Sequence, residues 1–154
     1  METFMRRAIL LTGFNNWGKT TQIKRLFNPT RQFRKRKTYR IQGVNAEFTV
    51  VPYSNDDWGR DVYLNALREY TDASPDKGQD LLAAFCPTRE GNNDSRFILH
   101  QPPLVNYNEI YLFYLHFKWD YHAELIIKNI QNYFQGIDRL NHIVIDEENQ
   151  IRGG

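Results

Sequence analysis

Cysteine is nearly missing from this chain. Cys86 is the one cysteine in 154 residues, so no internal disulfide can form and a disulfide-stapled scaffold is excluded. His100, His116, His122 and His142 share no ligand spacing with it or with one another, and a zinc-type cluster is excluded on the same ground. No apolar run approaches the roughly 20 residues that a membrane-spanning helix needs. The run behind Arg6-Arg7 is only about five residues, too short for the hydrophobic part of a signal peptide. One-sided charge is lacking as well, with 20 Lys and Arg against 18 Asp and Glu and a formal net charge of +2. Net charge alone therefore names no partner. The expectation is a single cytoplasmic domain over residues 1–154, or a fragment of a longer chain, with no membrane attachment.

What the chain does have is apolar runs alternating with helical stripes, the pattern of an α/β fold with a mainly parallel sheet. Strands are expected near 7–12, 38–43, 46–53, 80–86, 109–117 and 141–146. Helices are expected near 19–27, 59–71 and 121–135, the last with Ala123, Ile126, Ile127, Ile130 and Phe134 on one stripe. Gly43-Val44-Asn45 reads as the turn of an antiparallel hairpin joining the second strand to the third. Thr88 to Asn108 carries Gly91-Asn92-Asn93-Asp94 and Pro102-Pro103 and reads as a surface loop outside the core, with a short extended piece at Phe97 to Leu99. Cys86 reads as a small core residue.

The chemistry concentrates in one stretch. Gly13-Phe14-Asn15-Asn16-Trp17-Gly18-Lys19-Thr20-Thr21 has the spacing GxxxxGK followed by Thr, directly after the apolar run Ile9-Leu10-Leu11 and directly before a helical stripe. Glycines at those two places let main-chain N–H groups close around a polyphosphate, Lys19 adds a mobile cation, and the Thr20 hydroxyl is a ligand for Mg²⁺. The helix N-terminus contributes its positive dipole end. The expected ligand is GTP or ATP, held by Gly13, Asn15, Asn16, Trp17, Gly18, Lys19, Thr20 and Thr21, with Lys19 neutralising charge that develops in phosphoryl transfer.

Such a cradle needs a carboxylate for the metal, usually at the end of a strand beside the loop strand. Asp56, in Ser54-Asn55-Asp56-Asp57-Trp58-Gly59, is one candidate, and Asp146, in Ile143-Val144-Ile145-Asp146-Glu147, is the other. The phosphate loop resembles that of the P-loop NTPase superfamily, and three further features resemble Ras-like small GTPases. Asp56 to Gly59 is similar to their DxxG switch pattern, the hairpin to their second and third strands, and Phe117-Lys118-Trp119-Asp120 to their NKxD guanine-reading motif with Phe117 in place of Asn. The resemblance implies a three-layer P-loop fold with one antiparallel strand, Mg²⁺ held by Thr20 and Asp56, and Gly59, Lys118 and Asp120 in nucleotide contact. It further implies slow hydrolysis tied to a switch through residues 30–38 and 56–60, in which Thr30 or Thr38 closes over the metal and a protein partner docks. Arg60 stands where many members of that family carry Gln, and Asn15 and Asn16 stand where they use glycine.

Two other readings compete. One is a nucleotide-holding scaffold without turnover. The other is a P-loop ATPase or kinase in which Asp146 and Glu147 resemble a Walker B pair. Arg31 to Lys37 places five cations in seven positions. It reads as the first switch, as a source of an arginine finger, as a nucleic-acid patch with Phe33 and Tyr39 for stacking, or simply as a solvated loop.

Overall fold

The computed structural model describes residues 6–13, 19–27, 32–41, 43–44, 46–71, 80–88, 94–115, 122–137 and 139–145. Strand β1 (Arg7–Thr12) leads to helix α1 (Lys19–Leu26), then β2 (Tyr39–Arg40) and β3 (Glu47–Val51). Helices α2 (Asn55–Trp58) and α3 (Arg60–Thr71) precede β4 (Asp80–Phe85). A short helix α4 (Ser95–Leu99), β5 (Glu109–Leu115), α5 (His122–Tyr133) and β6 (Leu140–Ile145) complete the described order. The strands form one six-stranded sheet in the order β2-β3-β4-β1-β5-β6, parallel throughout except for the antiparallel pair β2 and β3. An α/β fold with a mainly parallel sheet and one antiparallel strand is thus what the chain adopts.

Alternation along the strands splits the core in two. Ala8 and Leu10 of β1 join Leu81, Ala83 and Phe85 of β4 in a cluster with Leu64 and Leu67 of α3 and Ile130 of α5. Leu11, Val50, Leu82 and Ala84 face the other way and pack on Ile23 of α1. The handedness of parallel crossovers explains this division. The chain moves one way along the sheet from β1 to β3 and the opposite way in every later parallel step, so α1 alone lies on its face while the later helices take the other. At β1, two neighbouring strands therefore send their following segments to opposite faces. That parting of loops is where open α/β sheets hold ligands, at the carboxyl edge.

Several expected boundaries shift for local reasons. The third strand ends at Val51 rather than residue 53, because Pro52 has no N–H for the ladder and Ser54 caps the next helix. The expected helix over 59–71 is preceded by a separate turn of helix, α2, and Gly59 at φ 82° divides the two, its N–H bonding Asn55 O at 2.8 Å. The second strand is only two residues long. Gly43 at φ 83°, with Val44 N–H on Ile41 O at 3.0 Å, supports the hairpin turn.

The segment expected as a surface loop outside the core is corrected. Ile98, Leu99, Leu104 and Tyr107 are all buried in the cluster under α3, and Phe97 to Leu99 is helical rather than extended. Polar groups make this burial tolerable. Asp94 accepts from Arg96 N–H at 2.9 Å, and the Ser95 hydroxyl donates to Thr88 O at 2.9 Å. The Arg139 guanidinium donates to the carbonyls of Leu104, Val105, Tyr107 and Leu99 at 3.0–3.4 Å.

Candidate phosphate-binding site

Of the residues that the sequence singles out, Gly13, Lys19 and Thr20 are described at the carboxyl edge of β1 and the start of α1. Gly13 N–H donates to Phe85 O at 3.1 Å, extending the β1–β4 pairing one residue past the strands. Asn15, Asn16, Trp17 and Gly18 lie outside the described residues, and the chain is described again from Lys19, the first residue of α1. Lys19 is only 6% exposed, an unusual place for an ammonium group. Burial pushes its pKa down, while the nearby charges of Cys86, Asp57 and Asp56 oppose that shift. The next residue fixes the start of α1 laterally, since Thr20 Oγ1 donates to Pro52 O at the end of β3 at 2.7 Å. Thr21 is exposed on the following position.

The acidic turn is built from its own side chains. Ser54 is fully buried, and its Oγ accepts from the N–H groups of Asp56 at 3.2 Å and Asp57 at 3.4 Å. In return, Asp57 Oδ2 accepts from Ser54 N–H at 3.1 Å and from the Ser54 hydroxyl at 3.2 Å, a reciprocal capping box. Asp57 is thereby tied to the turn, and both it and Asp56 are exposed. Asn55 is fully buried and reaches across to β4: its Nδ2 donates to Cys86 O at 2.9 Å and its Oδ1 accepts from Cys86 N–H at 2.8 Å. Neither Ser54 nor Asn55 stands out by residue type. The Ser54-x-x-Asp57 spacing is a legible capping signal, but nothing in the sequence separates a buried asparagine from a solvated one.

The strand order changes how Asp56 stands to the loop. The hairpin strand β3 is separated from β1 by β4, so the acidic turn does not follow a strand directly beside the loop strand. Thr20, at the start of α1, nonetheless reaches the end of β3 through its bond to Pro52 O. Lys118, Asp120, Asp146, Glu147 and Thr30 lie outside the described residues. Gly59 is the cap between α2 and α3. Arg60, the residue after it, turns its guanidinium to Asp61 at 2.8 Å and lies over the Phe97 ring.

The basic segment is not brought to this edge. Tyr39 pairs with Phe48, and Phe48 with Asp80, whose carboxylate holds Arg7 N–H at 3.1 Å at the very start of β1. Tyr39 therefore stands at the amino edge, about five residue rises or roughly 17 Å below the end of β1, and Arg36 N–H on Tyr70 O, at the end of α3 that precedes β4, holds the segment before it on that edge. Thr38 Oγ1 is engaged with Glu47 at 3.3 Å, at the first residue of β3. Residues 32–38 and 56–60 thus stand at different ends of the sheet. Phe33 is buried with Phe27 and Phe48 in the core under α1, which removes it as a stacking group. Tyr39 packs edge-on against Phe27 and Phe33, its hydroxyl accepting from Arg34 N–H at 2.9 Å.

The remaining sequence features have structural employment. Cys86 is buried as expected, immediately after β4. His100 Nδ1 is 2.7 Å from Arg96 O, and His142 Nδ1 is 2.7 Å from the Tyr114 hydroxyl. No protein family, curated protein or solved structure matches this chain.

Proposed function

We propose that this chain is a P-loop nucleoside triphosphate-binding domain that holds a Mg²⁺-triphosphate between β1 and β4 and hydrolyses it slowly. The observation that carries this reading is the lysine of the GxxxxGK motif, buried at the first position of α1 on the carboxyl edge of the sheet. A buried ammonium is costly. A polyphosphate held by the 13–20 loop would bring a further anionic partner to that ammonium, and the same glycine spacing would supply N–H groups around it. The oxygen donors suit Mg²⁺ by type: the Thr20 proton is committed to Pro52 O, which leaves the oxygen lone pairs for a metal, and four residues after Pro52 the chain carries the exposed carboxylate of Asp56. Mg²⁺ takes few protein ligands when phosphates supply the rest, and it would neutralise charge on the transferred phosphoryl group. Thr20 and Asp56 would hold it, while Lys19 binds and orients the terminal phosphates.

The test is calorimetric titration with GTP, ATP and their diphosphates, with and without Mg²⁺. Lys19→Ala should weaken triphosphate binding by about 2–5 kcal/mol, the cost of removing one partner of a desolvated charge pair. Equal binding by wild type and Lys19→Ala refutes the site. A preference for GTP over ATP is what the Lys118-Trp119-Asp120 resemblance implies, and equal affinities would remove Asp120 as a guanine reader.

A second reading, retention of nucleotide without turnover, is favoured by two specific contacts. Asp57 is spent on the Ser54 cap and Arg60 on Asp61 and Phe97, so these two side chains next to the site are already engaged. Phosphate release under single-turnover conditions distinguishes the two.

A further inference from the structure

The two edges of the sheet are guarded unequally. At one edge β2 pairs for two residues only, and its Arg40 donates to Glu47 at 3.0 Å. A short, charged edge strand offers little main chain to a neighbour. At the other edge β6 is six residues long and pairs with β5 without a break in register. Its sequence, Leu140-Asn141-His142-Ile143-Val144-Ile145, has no Asp, Glu, Lys, Arg, Pro or Gly. None of the devices that blunt an edge, a charge, a proline or a bulge, occurs within it. The direction of its main-chain groups follows from the register. Ile110 N–H donates to Arg139 O at 3.0 Å, and the residues of a strand that bond a given neighbour alternate, so Asn141, Ile143 and Ile145 turn to β5. His142 and Val144 turn their N–H and C=O groups outward, and among the described residues no strand lies there to receive them.

We infer that β6 pairs antiparallel with β6 of a second copy of this chain about a two-fold axis, joining two six-stranded sheets into one. A second copy is the occupant that the charge pattern favours. Two-fold pairing sets the strand against itself, and a strand without charge brings no like charges face to face. A charged peptide or a nucleic acid finds no counter-charge along it. The exposed apolar side chain fixes the register. Ile143 is 37% exposed, on the same side of the sheet as the half-buried Phe113 beside it, where α1 packs over β1, β3 and β4 instead. With the axis at Ile143, His142 of each copy stands opposite Val144 of the other and exchanges both main-chain bonds with it. The two Ile143 side chains then meet at the close, non-hydrogen-bonded position and cover one another. One short strand and its flanks make a small interface, so the dimer is a weak one, micromolar or looser.

Sedimentation velocity of the full chain from about 5 to 500 µM tests the inference. Wild type should move from monomer to dimer across that range, and amide exchange at His142 and Val144 should slow as concentration rises. Ile143→Lys sets two ammonium groups across the axis and should weaken association at least about tenfold. Val144→Pro removes an outward N–H and should weaken it likewise, at a position where an edge strand accepts proline. Val44→Lys adds the same charge at an exposed apolar residue toward the opposite edge and should associate as wild type does. Far-UV circular dichroism checks that each variant is folded, and Ile143→Lys, changed only at an exposed side chain, carries the test if Val144→Pro does not fold. A monomer at every concentration overturns the inference. So does a dimer that folded Ile143→Lys forms as readily as wild type. Because β6 is two strands removed from β1, neither outcome depends on nucleotide binding.

Discussion

Asn55→Ala is the sharpest test of how this edge is built. The asparagine has no exposed surface, and its carboxamide makes a matched pair of hydrogen bonds with the main chain of Cys86, 2.8 Å to the N–H and 2.9 Å to the carbonyl. Alanine strips both bonds inside a buried layer where water does not substitute readily. Each such loss costs about 1–3 kcal/mol when the group left behind stays desolvated, so the pair amounts to about 2–6 kcal/mol. Against a typical total stability of roughly 5–15 kcal/mol, this is a large share. Urea unfolding followed by circular dichroism should show the midpoint falling by about 1–2 M, with little change in slope. Asn55→Asp keeps the acceptor for Cys86 N–H but turns an oxygen toward Cys86 O, and it should destabilise at least as much as alanine. A midpoint shift below about 0.3 M in Asn55→Ala would refute the reasoning, because it would mean that solvent or a rearranged turn replaces both bonds at little cost.

Two further outcomes follow from the polar contacts. Arg139→Met keeps the aliphatic stem but removes a guanidinium shared among four carbonyls of residues 99–107; it should cost about 2–4 kcal/mol and speed amide exchange selectively in that segment, and uniform protection would argue against the contact. His142 accepts or donates at Nδ1 with the Tyr114 hydroxyl and its pKa is held down by burial, so the unfolded chain binds a proton at a pH where the folded chain does not. Stability should therefore fall as pH drops through the ordinary histidine range, and His142→Gln should lose less between pH 7 and pH 5 than wild type does in parallel urea titrations.

Much of the frame is legible because burial on both faces leaves a simple mark. Ile9-Leu10-Leu11 and Leu81 to Phe85 are unbroken apolar runs, and they became the two adjoining strands β1 and β4, the latter buried at all six positions. The order of strands is harder to read. Both β3 and β4 are apolar, and which of them lies beside β1 depends on crossover geometry rather than on periodicity. A clue exists in that β3 opens on exposed Glu47, whereas β4 opens on Asp80, buried against Arg7 of β1. The segment behind Thr88 misleads for a different reason. Its glycines, asparagines and prolines do make turns, but Arg139, far along the chain, satisfies the carbonyls that carry Leu99 and Leu104 inward. No local window contains that information.

The same polar ties connect an acidic turn two strands away to the start of α1. Two strand spacings amount to about 9.6 Å, beyond direct contact for a short carboxylate. Three bonds close the distance from different sides. Gly13 N–H fastens the loop's first glycine to β4, Thr20 fastens the start of α1 to β3, and Asn55 fastens the β3 turn back to β4. Together they tie the ends of β1, β3 and β4 and the start of α1 into one frame. Cutting one side, as Asn55→Ala does, frees the acidic turn while leaving Lys19 and its loop on β1. In the proposed site, metal-dependent nucleotide affinity should then suffer more than metal-independent affinity, since there the β3 turn would supply the carboxylate and Lys19 the cation.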